Sequence, residues 1–406
     1  MITQNELVAY KRVRRLGTES WDRVELEYKV LHQRIHRNIT PLRASFFAGM
    51  EDARVQSPKQ CLYLLSPAAK MSMKGWLEEQ RDERPSSGFI YFDTMLALAS
   101  GLTYIHRKIN TMVAYHRDIK PSNILLFHGN EEEVVWKFCD FGTSNLKPAD
   151  NTGTKSMVTD RYWAPPEFFE NHTNEKTHGR AHDVFSLGCV FLELVTLLHE
   201  GSAGISDFKS RRETQDQKNE GSEPRGAYHR SMTVVRRWIE NLRRKHRELQ
   251  HREVLTLISE MLELHEKRIY SWEVEIDLFM LRQGVPDAAR VDEYLNEVGQ
   301  RSKGYNANIK HNPFLRAKKR AEKNQFYKAR CTDQYFDTMK KTLGWHDYSH
   351  QSTGSFRRTS EQHAYSNLSP FPDEGSLCGG QDLYQEISDS FRQSDIVALF
   401  GVSGIG

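Results

Sequence analysis

The sequence predicts an α+β fold in which a small strand-rich segment precedes a mainly helical body, and three observations carry that prediction. Residues 1–65 alternate β-prone runs with one amphipathic helix, residues 71–283 are dominated by helical periodicity, and Ser66-Pro67-Ala68-Ala69 reads as a hinge between them (66–70). In the first segment, Leu7-Val8-Ala9-Tyr10-Lys11-Arg12-Val13 is a short β-prone run. Val24, Tyr28, Leu31 and Ile35 recur at spacings of three and four, which predicts a helix over 21–37. Two further strands are predicted over 42–47 and 60–65, separated by a loop holding Gly49 and Pro58.

Beyond the hinge, a first helix runs through Trp76 and Leu77, and a longer one over 89–109 carries Phe92, Met95, Leu96, Ala99, Leu102 and Ile105. The stretch 200–227 lacks large apolar residues except Ile205 and Phe208, so a flexible insert is expected there. Helices resume over 234–250 and 254–265 and end near residue 283. Residues 284–393 read as a connector, with a basic helix candidate over 316–328 and a Ser-, Gly-, Gln- and Pro-rich linker over 347–382.

A chain of 406 residues exceeds one ordinary core and suggests two or three units. Its net charge of +3 is small for that length, and the run Arg316-Ala317-Lys318-Lys319-Arg320 reads as a solvated face, so no nucleic-acid partner is expected. The longest apolar run, over 184–198, holds 15 residues and contains Glu193. A membrane span needs about 20 residues, so this run predicts a buried helix and no membrane partner. Five scattered cysteines without a CxxC pair favour a reducing compartment and no structural metal. Residues 1–6 lack a basic stretch followed by an apolar core, so no secretory signal is expected and a cytoplasmic location is.

The chemistry-bearing residues cluster in a short stretch. His116-Arg117-Asp118-Ile119-Lys120-Pro121-Ser122-Asn123 precedes two apolar runs, 124–127 and 134–138, joined by a polar turn around Gly129-Asn130, and Asp140-Phe141-Gly142 follows. Transfer of a phosphoryl group from ATP needs a carboxylate beside the acceptor hydroxyl, oxygen ligands for magnesium and a cation on the phosphates. Each has a candidate here. The stretch, with Asn123 five residues after Asp118, resembles the catalytic loop H-R-D-x-x-x-x-N of the eukaryotic-type serine/threonine protein kinases, and Asp140-Phe141-Gly142 resembles their magnesium-binding D-F-G.

That resemblance implies a two-lobed protein-kinase-like fold over 1–283, with an incomplete β-rich N-terminal lobe, 1–65, and a mainly helical lobe, 71–283. Asp118 would accept the hydroxyl proton, Lys120 would neutralise the γ-phosphate, Asn123 and Asp140 would hold Mg2+, and His116 and Arg117 would complete the catalytic loop. Val8-Ala9-Tyr10-Lys11 resembles V-A-I-K, which makes Lys11 the phosphate-binding lysine. Its partner is Glu27, nine residues before His36, with Glu25 as competitor. Ala9, Pro67, Ala69 and Leu125 would line the nucleotide site.

Tyr162-Trp163-Ala164-Pro165-Pro166-Glu167 resembles A-P-E with one proline too many, so either Thr159 or Asp160 occupies the substrate-loop threonine position. Asp183 opens a stretch like the buried central helix of that family, with Phe185 where tryptophan is usual, and Arg268 resembles the late arginine that pairs with Glu167. The resemblance makes 140–167 a regulatory loop in which Thr152, Thr154, Ser156 and Thr159 are acceptors for a phosphate that Arg117 receives.

The family's glycine-rich loop lies ahead of its phosphate-binding lysine, yet only ten residues precede Lys11 and none is glycine. An N-terminally incomplete kinase, or a member without that element, is the expectation, and with it weak ATP binding. At the other end, residues 394–400 form a strand-like run leading into Gly401-Val402-Ser403-Gly404-Ile405-Gly406. This resembles the start of a P-loop, stops before the lysine, and would mark a fused NTPase module in a longer parent; a glycine-rich tail is the plainer reading. The expected activity is phosphorylation of protein substrates with ATP and Mg2+; a signalling scaffold without transfer is the alternative.

Overall fold

The β-prone runs at the start of the chain pair as antiparallel strands in a computed structural model that describes residues 8–14, 30–31, 36–50, 59–78, 88–106, 112–128, 134–148, 160–169, 179–216, 224–265 and 267–283. These divide between two units: 8–14, 30–31, 40–50 and 59–69 in the first, and 36–39 with the described residues from 70 onward in the second. Glu27, Thr152, Thr154, Ser156 and Thr159 lie outside the described residues, as do the connector 284–393 and the P-loop-like residues 394–406.

In the first unit β1 (Val8–Arg14), β2 (Ala44–Met50) and β3 (Lys59–Pro67) form a sheet in the order β1-β3-β2. The register sets Lys11 opposite Leu64 and Ala9 opposite Ser66. Ser66 and Pro67, expected in a hinge, extend β3, where their backbones complete the ladder to Ala9 and Val8. Leu62 and Leu64 alternate with half-buried Tyr63 and are buried, the period-two pattern of a strand with one covered face.

Helices build the second unit. After a two-residue strand β4 (Met71–Ser72) come α1 (Met73–Glu78) and α2 (Gly88–His106). Every apolar residue singled out in α2, from Phe92 to Ile105, is buried. A fully buried Leu, Ile or Phe contributes about 1.5–3 kcal/mol, so this helix is a main source of core stability. Strands β6 (Ile124–His128) and β7 (Val134–Phe138) form the expected hairpin with Ile124 opposite Phe138. A second pair, β5 (Met112–Tyr115) with β8 (Asn145–Pro148), joins segments far apart in sequence and carries no turn signal between them. The expected helix over 21–37 is helical at Val30 and Leu31, but His36 to Asn38 form a turn in which Asn38 N donates to His36 Nδ1 at 3.1 Å and Asn38 Nδ2 donates to Trp136 O at 2.9 Å.

The largest departure from the sequence reading lies in the supposed flexible insert 200–227. Helix α3 (Gly179–Asp216) runs through its first part as far as Asp216, re-aimed at Gly201, where φ is 71° and ψ −168°, while residues 217–223 lie outside the described residues. That backbone belongs to a region open to glycine almost alone. Past Gly201, Phe208, Arg212 and Asp216 recur every four residues and are buried. Two of those three are charged, so hydropathy cannot show the stripe. The two helices expected over 234–250 and 254–265 are present as α4 (Met232–Lys245) and α5 (Leu249–Met261), with the break between them a few residues earlier, and α6 (Ser271–Gln283) closes the described chain. In α4, Val235, Trp238, Ile239 and Leu242 form the buried face at helical spacing.

Candidate active site

The catalytic-loop residues lie between β5 and β6 and depend on one buried carboxylate. Asp183, near the start of α3, is fully buried and accepts from the backbone N–H of His116 at 2.8 Å and of Arg117 at 2.7 Å. His106 Nε2 donates to its other lone pairs at 2.9 Å, and His106 Nδ1 lies 3.0 Å from Ser271 Oγ. Burial alone would raise the Asp183 carboxyl, but the His106 hydrogen bond and charge outweigh it and hold the group below its ordinary value. The backbone bonds also sustain Arg117 at φ 68°, a conformation costly outside glycine and frequent at functional sites. Gly179 admits this arrangement, because a Cβ there would lie 2.6 Å from the ring of Tyr115.

Asp118 is 5% exposed and its two oxygens have different surroundings. Oδ2 accepts from Asn123 Nδ2 at 2.8 Å and pairs with Lys120 Nζ at 3.0 Å. Oδ1 is buried and accepts no hydrogen bond. It is therefore the oxygen left to accept a further hydrogen bond. Lys120 Nζ also reaches Asp160 Oδ2 at 3.3 Å. Burial lowers the Lys120 pKa, but the charges and hydrogen bonds of Asp118 and Asp160 reverse that effect and raise it, so the ammonium stays charged at neutral pH.

His116 fixes the D-F-G segment to the loop. Its Nδ1 accepts from Asp118 N at 3.4 Å while Nε2 donates to Cys139 O at 3.0 Å, which sets the neutral tautomer. Its ring lies 4.6 Å from that of Phe141, which is fully buried. Cys139 N donates to Asn123 O at 3.0 Å, so the chain segments bearing Asn123 and Asp140 are adjacent. Asp140 adopts φ 61°, and its Oδ1 accepts from Gly142 N at 3.3 Å.

Asn123 and Asp140 fit a magnesium ion. Since Asn123 Nδ2 donates to both Asp118 O and Asp118 Oδ2, its amide oxygen is turned away as an acceptor. An amide oxygen and a carboxylate from adjacent segments are the hard, few-membered donor set that magnesium takes when it keeps waters and substrate phosphates as further ligands. No group of three or more His, Cys, Asp or Glu side chains among the described residues could hold a metal by itself.

Glu167 and Arg268 pair as expected. Both terminal guanidinium nitrogens meet the carboxylate, with Nη2 to Oε2 at 3.1 Å, while Nη1 also donates to Ala181 O at 2.9 Å and Nη2 to Glu263 O at 2.7 Å. Burial would raise the Glu167 carboxyl, yet the hydrogen bond and charge of Arg268 keep it low. Of the two candidates for the substrate-loop threonine position, Thr159 lies outside the described residues, and Asp160 stands beside Lys120. Its Oδ1 accepts from Tyr162 N at 3.0 Å. Lys11 is half-buried on β1, Ala9, Pro67 and Ala69 are half-buried in the first unit, and half-buried Leu125 pairs with Lys137 on β7. His106 and Ser271 escaped the sequence reading, since a histidine at the end of one helix and a serine at the start of another give no local signal that the first bridges the second to the Asp183 carboxylate.

The family described as protein kinase domain matches residues 1–275. Among curated proteins, the chain is 30% identical over 193 residues to mitogen-activated protein kinase 10 of Arabidopsis thaliana, covering 47% of this chain and 44% of that protein. It is 29% identical over 198 residues to a G-type lectin S-receptor-like serine/threonine-protein kinase of the same plant, covering 48% and 22%, and 32% identical over 201 residues to cyclin-dependent kinase 12 of Drosophila melanogaster, covering 47% and 16%. The chain thus spans less than half the length of these relatives. With its family match running from the first strand into the last helix, through the Asp118 and Asp140 segments, the chain belongs to the protein kinase domain family.

Proposed function

We propose that this chain transfers the γ-phosphoryl group of ATP to serine or threonine hydroxyls of protein substrates. The observation that carries the reading is the split of the Asp118 carboxylate, with Oδ2 held by Asn123 and Lys120 and buried Oδ1 left without a donor. A hydroxyl placed at Oδ1 would hydrogen-bond to it and give it the proton as the hydroxyl oxygen bonds to the γ-phosphorus and the bond from that phosphorus to the departing ADP oxygen breaks. Lys120, charged and steered by Asp118 and Asp160, would follow the charge that builds on the phosphoryl oxygens. Magnesium, when bound, supplies neutralisation of the phosphate charge. Asn123 through its amide oxygen and Asp140 through its carboxylate would hold it, and His116 keeps these segments in register. The phosphate-binding role of Lys11 and its pairing with Glu27 are part of the same proposal and rest on the resemblance of the Val8-Ala9-Tyr10-Lys11 segment.

The test is radiolabelled phosphate transfer to a mixed serine/threonine acceptor by the parent chain and by Asp118→Asn. Loss of the base is expected to lower kcat by about 10²–10⁴ with the melting transition retained, because the carboxylate does not belong to the apolar core. Equal transfer by both chains would exclude Asp118 as the base, and none by the parent under any metal condition would favour a scaffold.

A further inference from the structure

Arg212 is a cation only 1% exposed, in a stretch of α3 that the transfer chemistry does not use. Its guanidinium lies 3.9 Å from the centre of the Tyr228 ring, 4.5 Å from Phe208 and 5.1 Å from Tyr162. Nη2 stands 3.6 Å from Glu193 Oε1, an oxygen that also accepts from Tyr228 Oη at 3.0 Å, and Nη1 donates to Gly226 O at 3.2 Å. A planar cation serves three ring faces and a carboxylate at once where an ammonium could not.

Tyr162 makes this cage more than a local core feature. It belongs to the segment 160–169, whose first residue, Asp160, contacts Lys120. The 224–231 strip, locked to α3 by Gly226 N donating to Asp216 Oδ2 at 3.1 Å and by Arg230 pairing with Asp216 at 2.8 Å, holds that segment at both ends. Tyr228 N donates to Tyr162 O at 3.1 Å, and the rings of His229 and Phe169 stack 3.9 Å apart. A continuous physical chain therefore runs from Arg212 through Tyr162 and Asp160 to Lys120 and Asp118.

We propose that Arg212 is a positioning residue for the acceptor substrate: by clamping Tyr162 and Tyr228 it sets the height of segment 160–169 beside Lys120, and so how well an acceptor chain is presented to Asp118. The enzymatic part rests on the phosphoryl-transfer reading above. Small displacements of positioning groups cost rate out of proportion to their size.

Arg212→Lys in the full chain is the decisive variant, because it keeps a charge for Glu193 but loses the planar stack; Arg212→Ala accompanies it and is expected to melt earlier, having left Glu193 buried without its cation. Two readouts apply to Arg212→Lys. With a peptide library bearing one central serine, the KM for acceptor should rise about tenfold or more while the KM for ATP stays within about twofold. Amide hydrogen exchange should quicken across 160–169 and stay unchanged across 184–198. If either readout matches the parent, the proposal is overturned, and a charge of any shape at 212 suffices. Should the parent transfer no phosphate, the enzymatic reading falls by itself, and the exchange result alone upholds or overturns the clamp.

Discussion

Asp140 holds a left-handed backbone, φ 61°, and such strain persists where surrounding structure over-determines it. Here the supports are Phe141, fully buried against His116, and the Cys139 bond to Asn123 O at 3.0 Å. The conformation turns a carboxylate out of the end of a strand rather than into the core, which suits a ligand for an exchangeable ion. Asp140→Ala should therefore leave folding largely intact and abolish the metal dependence of nucleotide binding. In calorimetry the parent should bind ATP at least about tenfold more tightly with magnesium than without, and the variant equally in both. Parent affinity indifferent to magnesium would remove Asp140 from the metal site.

Helix α3 shows how one element can serve two purposes at different ends. Its first turns carry Asp183, which organises the catalytic loop, and its last turns carry Arg212 and Asp216, which organise the strip after it. Gly201 separates the two by a backbone turn that a Cβ resists. Gly201→Ala should cost about 1–3 kcal/mol in denaturant unfolding, since no L side chain occupies φ 71° with ψ −168° at ease. A loss well under 1 kcal/mol would mean that the helix can run straight through this point, and that the re-aiming is not held by glycine geometry.

Acid should weaken the whole molecule earlier than its carboxylates alone would dictate. Burial lowers the pKa of His182 and His229 to about 4 and that of His199 to about 3. Unfolded histidine titrates near about 6.5, so below that pH the unfolded chain binds protons that the folded chain refuses, and stability falls as pH falls. Glu167 and Asp183, depressed rather than raised, add their own losses only as the pH drops below about 4. Urea midpoints measured from pH 7.5 down to 5 should therefore already decline, and a flat profile over that range would show these imidazoles to be free to charge in the folded state.

The sequence made the candidate site residues and their order legible through the resemblance of their stretch to the protein-kinase catalytic loop. Asp118, Lys120, Asn123 and Asp140 lie within one short stretch whose spacing is set by a strand–turn–strand hairpin, and a hairpin's geometry is written in its own alternation of apolar residues and its turn. The period of α2 was legible for the same reason, because its core side is apolar. Charged cores were not legible: Arg212 and Asp216 look like solvent residues until Tyr228, Phe208 and Glu193 surround one and Arg230 meets the other. The pairing of Asp160 with Lys120 likewise has no local signal, since the two stand on segments far apart in the sequence. Which oxygen of Asp118 is left without a donor belongs to the same class of fact. Sequence periodicity reports what a residue's neighbours along the chain require, whereas a buried ion pair or a half-satisfied carboxylate is decided by partners that only the tertiary fold brings within hydrogen-bond reach.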